Sequence, residues 1–161
     1  MNPFESLSLC AEVAIAITGF SGVVLVFGDS RQPSSTQVNP ALFRMIFTGT
    51  LTPLSLIVIA FILDAAEFER SEIWRISSAM HAVSVSLLIA FAGGTSEQRR
   101  SFSRTRGGLI VLFGSPLVIA LSLFNAVSLH QFWPFLFAVW YGLALALFAF
   151  IHLVFSARAS R

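Results

Sequence analysis

The sequence predicts an all-α integral membrane protein, a compact bundle of five transmembrane helices forming a single domain over residues 1–161. Three observations predict this fold class. Hydrophobic residues make up 56% of the chain and charged residues only 11%, whereas a soluble domain carries about 25% charged residues. Five apolar stretches have roughly the 20 residues that a helix needs to cross a bilayer. The arginines are distributed unequally among the connections between these stretches.

The apolar stretches are predicted to be helices, because backbone groups inside a bilayer must be satisfied within their own segment. The predicted helices are residues 7–28, 40–64, 73–93, 108–129 and 134–155. The segment before Leu7 contains Glu5 but no Lys or Arg, so it lacks the positive region of a secretory signal. We therefore expect the first stretch to remain as a transmembrane helix.

The connections between the apolar stretches carry turn and cap signals. The segment 28–37 is polar and rich in turn-forming residues. Asn39 followed by Pro40 is typical of an N-cap with proline at the first helical position. The other connections are an acidic one at 64–72, an arginine-rich one at 95–106 and a tight turn at 130–133.

All ten basic residues are arginines, and their placement predicts the orientation. With five spans, one side holds Arg31, Arg44, Arg99, Arg100, Arg104, Arg106, Arg158 and Arg161, and the other holds Arg70 and Arg75. The positive-inside rule then places the amino terminus outside and the carboxyl terminus in the cytoplasm, in a cell membrane that we expect to be a bacterial inner membrane. Four arginines of the third connection either hold anionic lipid head groups or serve only to fix the topology. They are Arg99, Arg100, Arg104 and Arg106.

Glu12 interrupts the first apolar stretch, where a carboxylate is costly in hydrocarbon. Helical spacing places it on one face with Ser8, Ile15, Ala16, Gly19 and Val23, and Gly22 extends that face to one side. Small residues allow a second helix to approach closely. We therefore expect the Gly19 and Gly22 side of this helix to pack against a neighbouring helix, which would shield Glu12 from lipid.

A polar intramembrane cluster is predicted in the outer half of the bundle. Its members are Glu12, Asp64, Arg75, Ser77, His81, Ser84 and Asn125. We expect Glu12 to reach Arg75 or His81 on the third helix, since a lone ionised acid at this depth is unfavourable. Two interpretations stay open: a proton or cation site, because intramembrane acids often mark transport paths, and a structural carboxylate paired for stability.

Several function classes are excluded or disfavoured by the same residues. A single cysteine excludes an internal disulfide and a cysteine-based metal cluster. The three histidines, His81, His130 and His152, lie at different predicted depths, which disfavours haem or metal binding. We expect no cofactor, and we find no set of catalytic residues in the sequence. The small excess of basic residues is not clustered into a nucleic-acid-binding patch.

Two hypotheses for the function remain from the sequence. The first is a small transport or channel-like protein, which we expect to be oligomeric. Five helices enclose little volume, so we expect any continuous path to run between protomers or between kinked helices. The second is a non-catalytic accessory or structural subunit whose helices pack against a larger membrane partner. The expected partners are therefore the lipid bilayer and either further copies of the chain or another membrane protein.

Overall fold

The computed structural model describes residues 2–29, 40–91 and 106–159 of the chain. These residues form five α-helices and contain no strand, which confirms the all-α prediction. The helices are α1 (Pro3–Asp29), α2 (Pro40–Ala65), α3 (Arg70–Phe91), α4 (Arg106–Phe124) and α5 (Phe132–Ala159). A π-helical turn, Asn125–Leu129, continues directly from α4.

The helices begin close to the predicted positions, and the differences have local causes. Helix α1 begins at Pro3 rather than Leu7, because polar residues before the apolar stretch form an N-terminal cap. The Asn2 side-chain oxygen accepts a hydrogen bond from the Phe4 amide (3.2 Å), and the Glu5 carboxylate accepts one from the Asn2 amide (3.3 Å). This reciprocal pair is a variant of the capping box in which the Asn2 side chain bonds the second helical amide instead of the third. Helix α5 continues past residue 155 to Ala159.

Four helical segments are long and apolar enough to cross a membrane. They are Pro3–Val24, Arg44–Ala65, Arg70–Ala90 and Phe132–Phe155. A further apolar segment, Phe113–Leu129, is shorter and includes the π-helical turn. The described residues therefore form an all-helical protein whose helices are compatible with several passes through a bilayer.

The chain divides into two compact units. The first unit comprises Met1–Leu54 and Gly142–Arg161, and the second comprises Ser55–Tyr141. Helices α2 and α5 each contribute residues to both units. This division therefore does not test the expectation of a single transmembrane domain.

In the first unit, α1 buries one face made of residues spaced by three and four. The buried residues are Leu7, Cys10, Ala14, Ile17 and Ser21. The Ser21 hydroxyl donates to the carbonyl of Ile17 (2.6 Å), and the hydroxyl oxygens of Thr18 and Thr50 lie 2.9 Å apart. An apolar core joins α1 to α2 and α5 through Ile17, Ile46, Ala146, Ala149 and Leu153.

Helices α2 and α5 cross closely at two glycines of the first unit. A Cβ built on Gly49 would lie 2.8 Å from the carbonyl oxygen of Gly142 and 3.0 Å from the Cβ of Ala146. A Cβ on Gly142 would lie 2.9 Å from Cγ of Pro53. Real Cβ atoms essentially never come that near to backbone, so only glycine permits this approach.

In the second unit, α3 packs against α4 and its π-helical turn. The Trp74 ring lies against Phe132 and Phe135, with centroid separations of 4.9 and 6.1 Å. A Cβ on Gly114 would lie within 3 Å of the Tyr141 ring, so Gly114 makes room for this tyrosine. These contacts hold the helices whose facing sides carry the polar residues described next.

Candidate functional site: a buried polar seam between α3 and α4

Five polar side chains meet between α3 and the end of α4, and we call this group the polar seam. Its members are Ser77, Ser78 and His81 on α3, with Ser122 and Asn125 on α4 and its π-helical turn. His81 is 3% exposed and the other four are fully buried. Buried polar groups in proteins are nearly always hydrogen-bonded, so the partners of each side chain determine how the polar seam is stabilised.

His81 is held by Ser122. The imidazole Nδ1 lies 3.0 Å from the Ser122 hydroxyl oxygen, and both groups are buried. The tautomer of the ring decides which of the two groups donates the proton. The bond fixes the orientation of the ring through Nδ1, and Nε2 is the ring nitrogen that Ser122 does not bond.

Asn125 closes the turn between α4 and α5. Its side-chain amide donates to the Ser78 hydroxyl (2.7 Å) and to the carbonyl of Gln131 (2.9 Å), and its side-chain oxygen accepts from the Gln131 amide (2.9 Å). The backbone carbonyl of Asn125 accepts from the amide of His130, which adopts a left-handed conformation with φ of 51°. These bonds use the Asn125 side chain for structure.

Ser77 is the unsatisfied member of the seam. Its hydroxyl is completely buried and has no hydrogen-bond partner. An unsatisfied buried polar group costs about 1–3 kcal/mol. Ser77 lies one helical turn before His81 on α3, so the two side chains occupy the same side of the helix.

Three predicted members of the intramembrane cluster lie outside the seam. Asp64 is exposed at the end of α2, and Ser84 is half-buried. Arg75 is exposed and forms an ion pair with Glu72 over 3.0 Å. Its guanidinium therefore has a carboxylate partner three residues away on α3. The expected pairing of Glu12 with Arg75 or His81 stays a prediction.

Glu12 lies in the first unit, on the exposed side of α1. The residues predicted to share its face, Ser8, Ile15, Ala16, Gly19 and Val23, are exposed with it. A Cβ added to Gly19 or Gly22 would meet nothing within 4 Å. Among the described residues this face of α1 is therefore exposed, and the buried residues of α1 lie on the opposite face. Contact of this face with another chain stays a prediction.

The predicted lipid-binding arginines cannot be compared with the structure in full. Arg99, Arg100 and Arg104 lie outside the described residues, and for Arg106 only its place at the start of α4 is described. Their role stays a prediction.

Sequence reasoning missed Ser78 and Ser122. The available signal was spacing, since Ser78 and His81 on α3, and Ser122 and Asn125 on α4, are each three residues apart. Which residue of one pair bonds which residue of the other depends on how the two helices pack, and the sequence does not show this. The spacing of His81 and Ser84 gave an equally good match from the sequence alone.

The chemistry that the polar seam can perform is limited by its composition. It contains one imidazole, three hydroxyls and one amide, without a carboxylate among the described members. The hydroxyl hydrogen-bonded to His81 is that of Ser122. No group of three or more His, Cys, Asp or Glu among the described residues could hold a metal ion. The seam can therefore hold small hydrogen-bonding groups.

Comparisons of the chain with protein families, with curated proteins and with solved structures found no match.

Proposed function

We propose that this protein is a multi-pass membrane protein that works as one subunit of a membrane assembly, in contact with its neighbour through the exposed face of α1. The exposure of Glu12 carries the proposal. This carboxylate stands on a helix long and apolar enough to cross a bilayer. A charged side chain at the bilayer centre costs about 2.5–3.5 kcal/mol on insertion scales. A protein neighbour would lower this cost by offering hydrogen-bond donors.

The residues around Glu12 support close contact with another helix. Ser8, Ala16 and Gly19 are small and exposed on the same face, and the space beside Gly19 and Gly22 is open. Small residues let two helix backbones approach closely in a membrane. The side of α1 that the chain itself leaves uncovered is thus the side suited to a second helix.

The proposed orientation follows from the arginines. The amino terminus is outside and the carboxyl terminus is in the cytoplasm, because eight arginines fall on one side and two on the other in the five-span arrangement. In this orientation the acidic residues Asp64, Glu67 and Glu69 of the connection between α2 and α3 face outward. The proposed location is a bacterial inner membrane.

Within such an assembly, transport of protons or cations is our first proposal for the activity. A contact that serves only assembly can be made with neutral polar groups, whereas a proton relay needs an ionisable one, and intramembrane acids such as Glu12 often mark proton and cation paths. The path would then run between neighbouring chains at the α1 face. The alternative is a non-catalytic accessory subunit, in which the same face packs against a larger membrane protein.

The assembly is tested by measuring mass in mild detergent. We expect the wild type to exceed the 17.5 kDa of one chain, and Gly19→Leu to return it to a single chain by blocking the approach. Ala120→Leu is the matched control, because Ala120 is small and exposed on α4. A wild type that remains a single chain in native lipid particles, without any bound protein, would contradict the proposal.

The activity is tested separately with the protein reconstituted in vesicles. Glu12→Gln keeps the hydrogen-bonding capacity of the side chain but cannot carry a proton. We expect this variant to assemble as the wild type does and to lose proton or cation flux. Normal assembly without flux in the wild type would instead favour the accessory role.

A further inference from the structure

One buried polar atom of the polar seam has no hydrogen-bond partner among the described residues. It is the hydroxyl oxygen of Ser77. One turn further along α3 is His81, whose ring is bonded through Nδ1 to Ser122, so that Nε2 is the ring nitrogen that Ser122 does not bond. Natural proteins leave few buried polar atoms unsatisfied, and each exception needs an explanation such as a bound water or ion.

Ser77 and His81 lie one turn apart on the same helix. Residues four apart on a helix have Cβ atoms about 5–6 Å from each other. The side chain of a helical residue points back toward the amino-terminal turn, so the His81 ring extends toward the turn that holds Ser77. Its bond to Ser122 fixes the plane of the ring. A single small group hydrogen-bonded at both ends can bridge two side chains at this Cβ spacing.

We propose that Ser77 and His81 bind one ordered water molecule, which bridges the Ser77 hydroxyl and Nε2 of His81. Water fits both ends because it donates and accepts, as do a hydroxyl and a neutral imidazole in either tautomer. Buried waters typically make two to four such bonds. An ion is a poorer ligand, since the described members of the seam include no charged side chain that would compensate it.

The bound water would complete a hydrogen-bonded chain across the helix interface. The chain runs from Ser77 through the water to His81 and on to Ser122 of α4. The water then satisfies the Ser77 hydroxyl as well as the second ring nitrogen of His81. The free-energy cost of leaving that hydroxyl buried without a partner is thereby removed. The competing arrangement is a Ser77 hydroxyl turned to the carbonyl of Ile73, a bond that serines in helices often make.

The experiment is water-to-protein magnetisation transfer in solid-state NMR on the full-length protein in bilayers, with the His81 signal assigned through His81→Gln. We expect fast transfer from water to the His81 ring in the wild type. Ser77→Val should reduce it several-fold, because the larger apolar side chain removes one anchor and fills the space of the water. Ser86→Val, at an exposed serine of the same helix, should leave the transfer unchanged.

Absence of transfer to His81 in the wild type, or equal transfer in Ser77→Val, would overturn the proposal. A density map of the wild type gives an independent readout that does not depend on the variants folding. Ordered density within hydrogen-bond distance of both Ser77 and His81 supports the water. A Ser77 hydroxyl bonded to the Ile73 carbonyl, with no density between the two side chains, refutes it.

Discussion

The carbonyl oxygen of Gly142 on α5 lies 2.8 Å from the place where a Cβ on Gly49 of α2 would stand. The obstacle is backbone and not the end of a flexible side chain, so it cannot move away without shifting α5. The Cβ of Ala146, 3.0 Å from the same place, closes the other side. This crossing therefore depends on the absence of a side chain at residue 49.

Gly49→Ala is expected to destabilise the protein. Overpacking of a tight contact costs about 1–3 kcal/mol, and the better helix propensity of alanine returns at most about 1 kcal/mol. Thermal unfolding in detergent measures the net loss. Ser55→Ala, at an exposed residue of the same helix, is the control. A Gly49→Ala variant as stable as the wild type would show that the two helices do not cross here.

Asn125→Ala should lower the unfolding free energy by about 1–3 kcal/mol. The change removes three side-chain hydrogen bonds, one to Ser78 and two to the backbone of Gln131. Gln131→Ala keeps those backbone bonds and loses only the exposed contact with the Trp133 indole, so we expect it to be tolerated. Chemical unfolding of both variants provides the measurement, and equal losses would argue against the role of Asn125 in closing the turn.

Removal of the Arg75–Glu72 ion pair should have little effect. Both side chains are about half exposed, at 53% and 41%, and exposed pairs contribute about 0–1 kcal/mol. Arg75→Gln is therefore expected to unfold within about 1 kcal/mol of the wild type. A double-mutant cycle between Glu72 and Arg75 should give a coupling energy of about 0–1 kcal/mol. A clearly larger coupling energy would show that the pair contributes more than its exposure suggests.

The orientation can be checked by cysteine labelling in intact cells. A cysteine replacing Ser34, in the first connection, should be protected from an impermeant thiol reagent, because the proposed topology places it in the cytoplasm. A cysteine replacing the exposed Glu69 should react. The reverse pattern would invert the topology, and reaction of both would mean that the number of spans is incorrect.

The helices could be predicted from the sequence because length and apolar composition suffice to identify them. The buried face of α1 could not. Its two sides carry similar residues: Cys10, Ala14 and Ser21 are buried, whereas Ser8, Ala16 and Gly19 are exposed. When both faces are small and apolar, periodicity does not distinguish a neighbouring helix in the same chain from one in another chain.

The candidate site was predictable only in part, for a related reason. His81 and Asn125 stood out because polar residues are rare in apolar helices, and both are buried in the polar seam. The structural use of Asn125 depends on a π-helical turn and on a left-handed His130. A left-handed conformation is usually indicated by glycine in the sequence, but here the residue is a histidine.

The burial of Cys10 has a practical consequence. This thiol is the only one in the sequence, and it lies on the inward side of α1 with 2% of its surface exposed. The natural chain should therefore react very little with maleimides and methanethiosulfonates. Single reporter cysteines can then be introduced without first removing the native one. Pairs of nitroxide labels placed this way would give distances between α1 helices of adjoining chains by electron paramagnetic resonance.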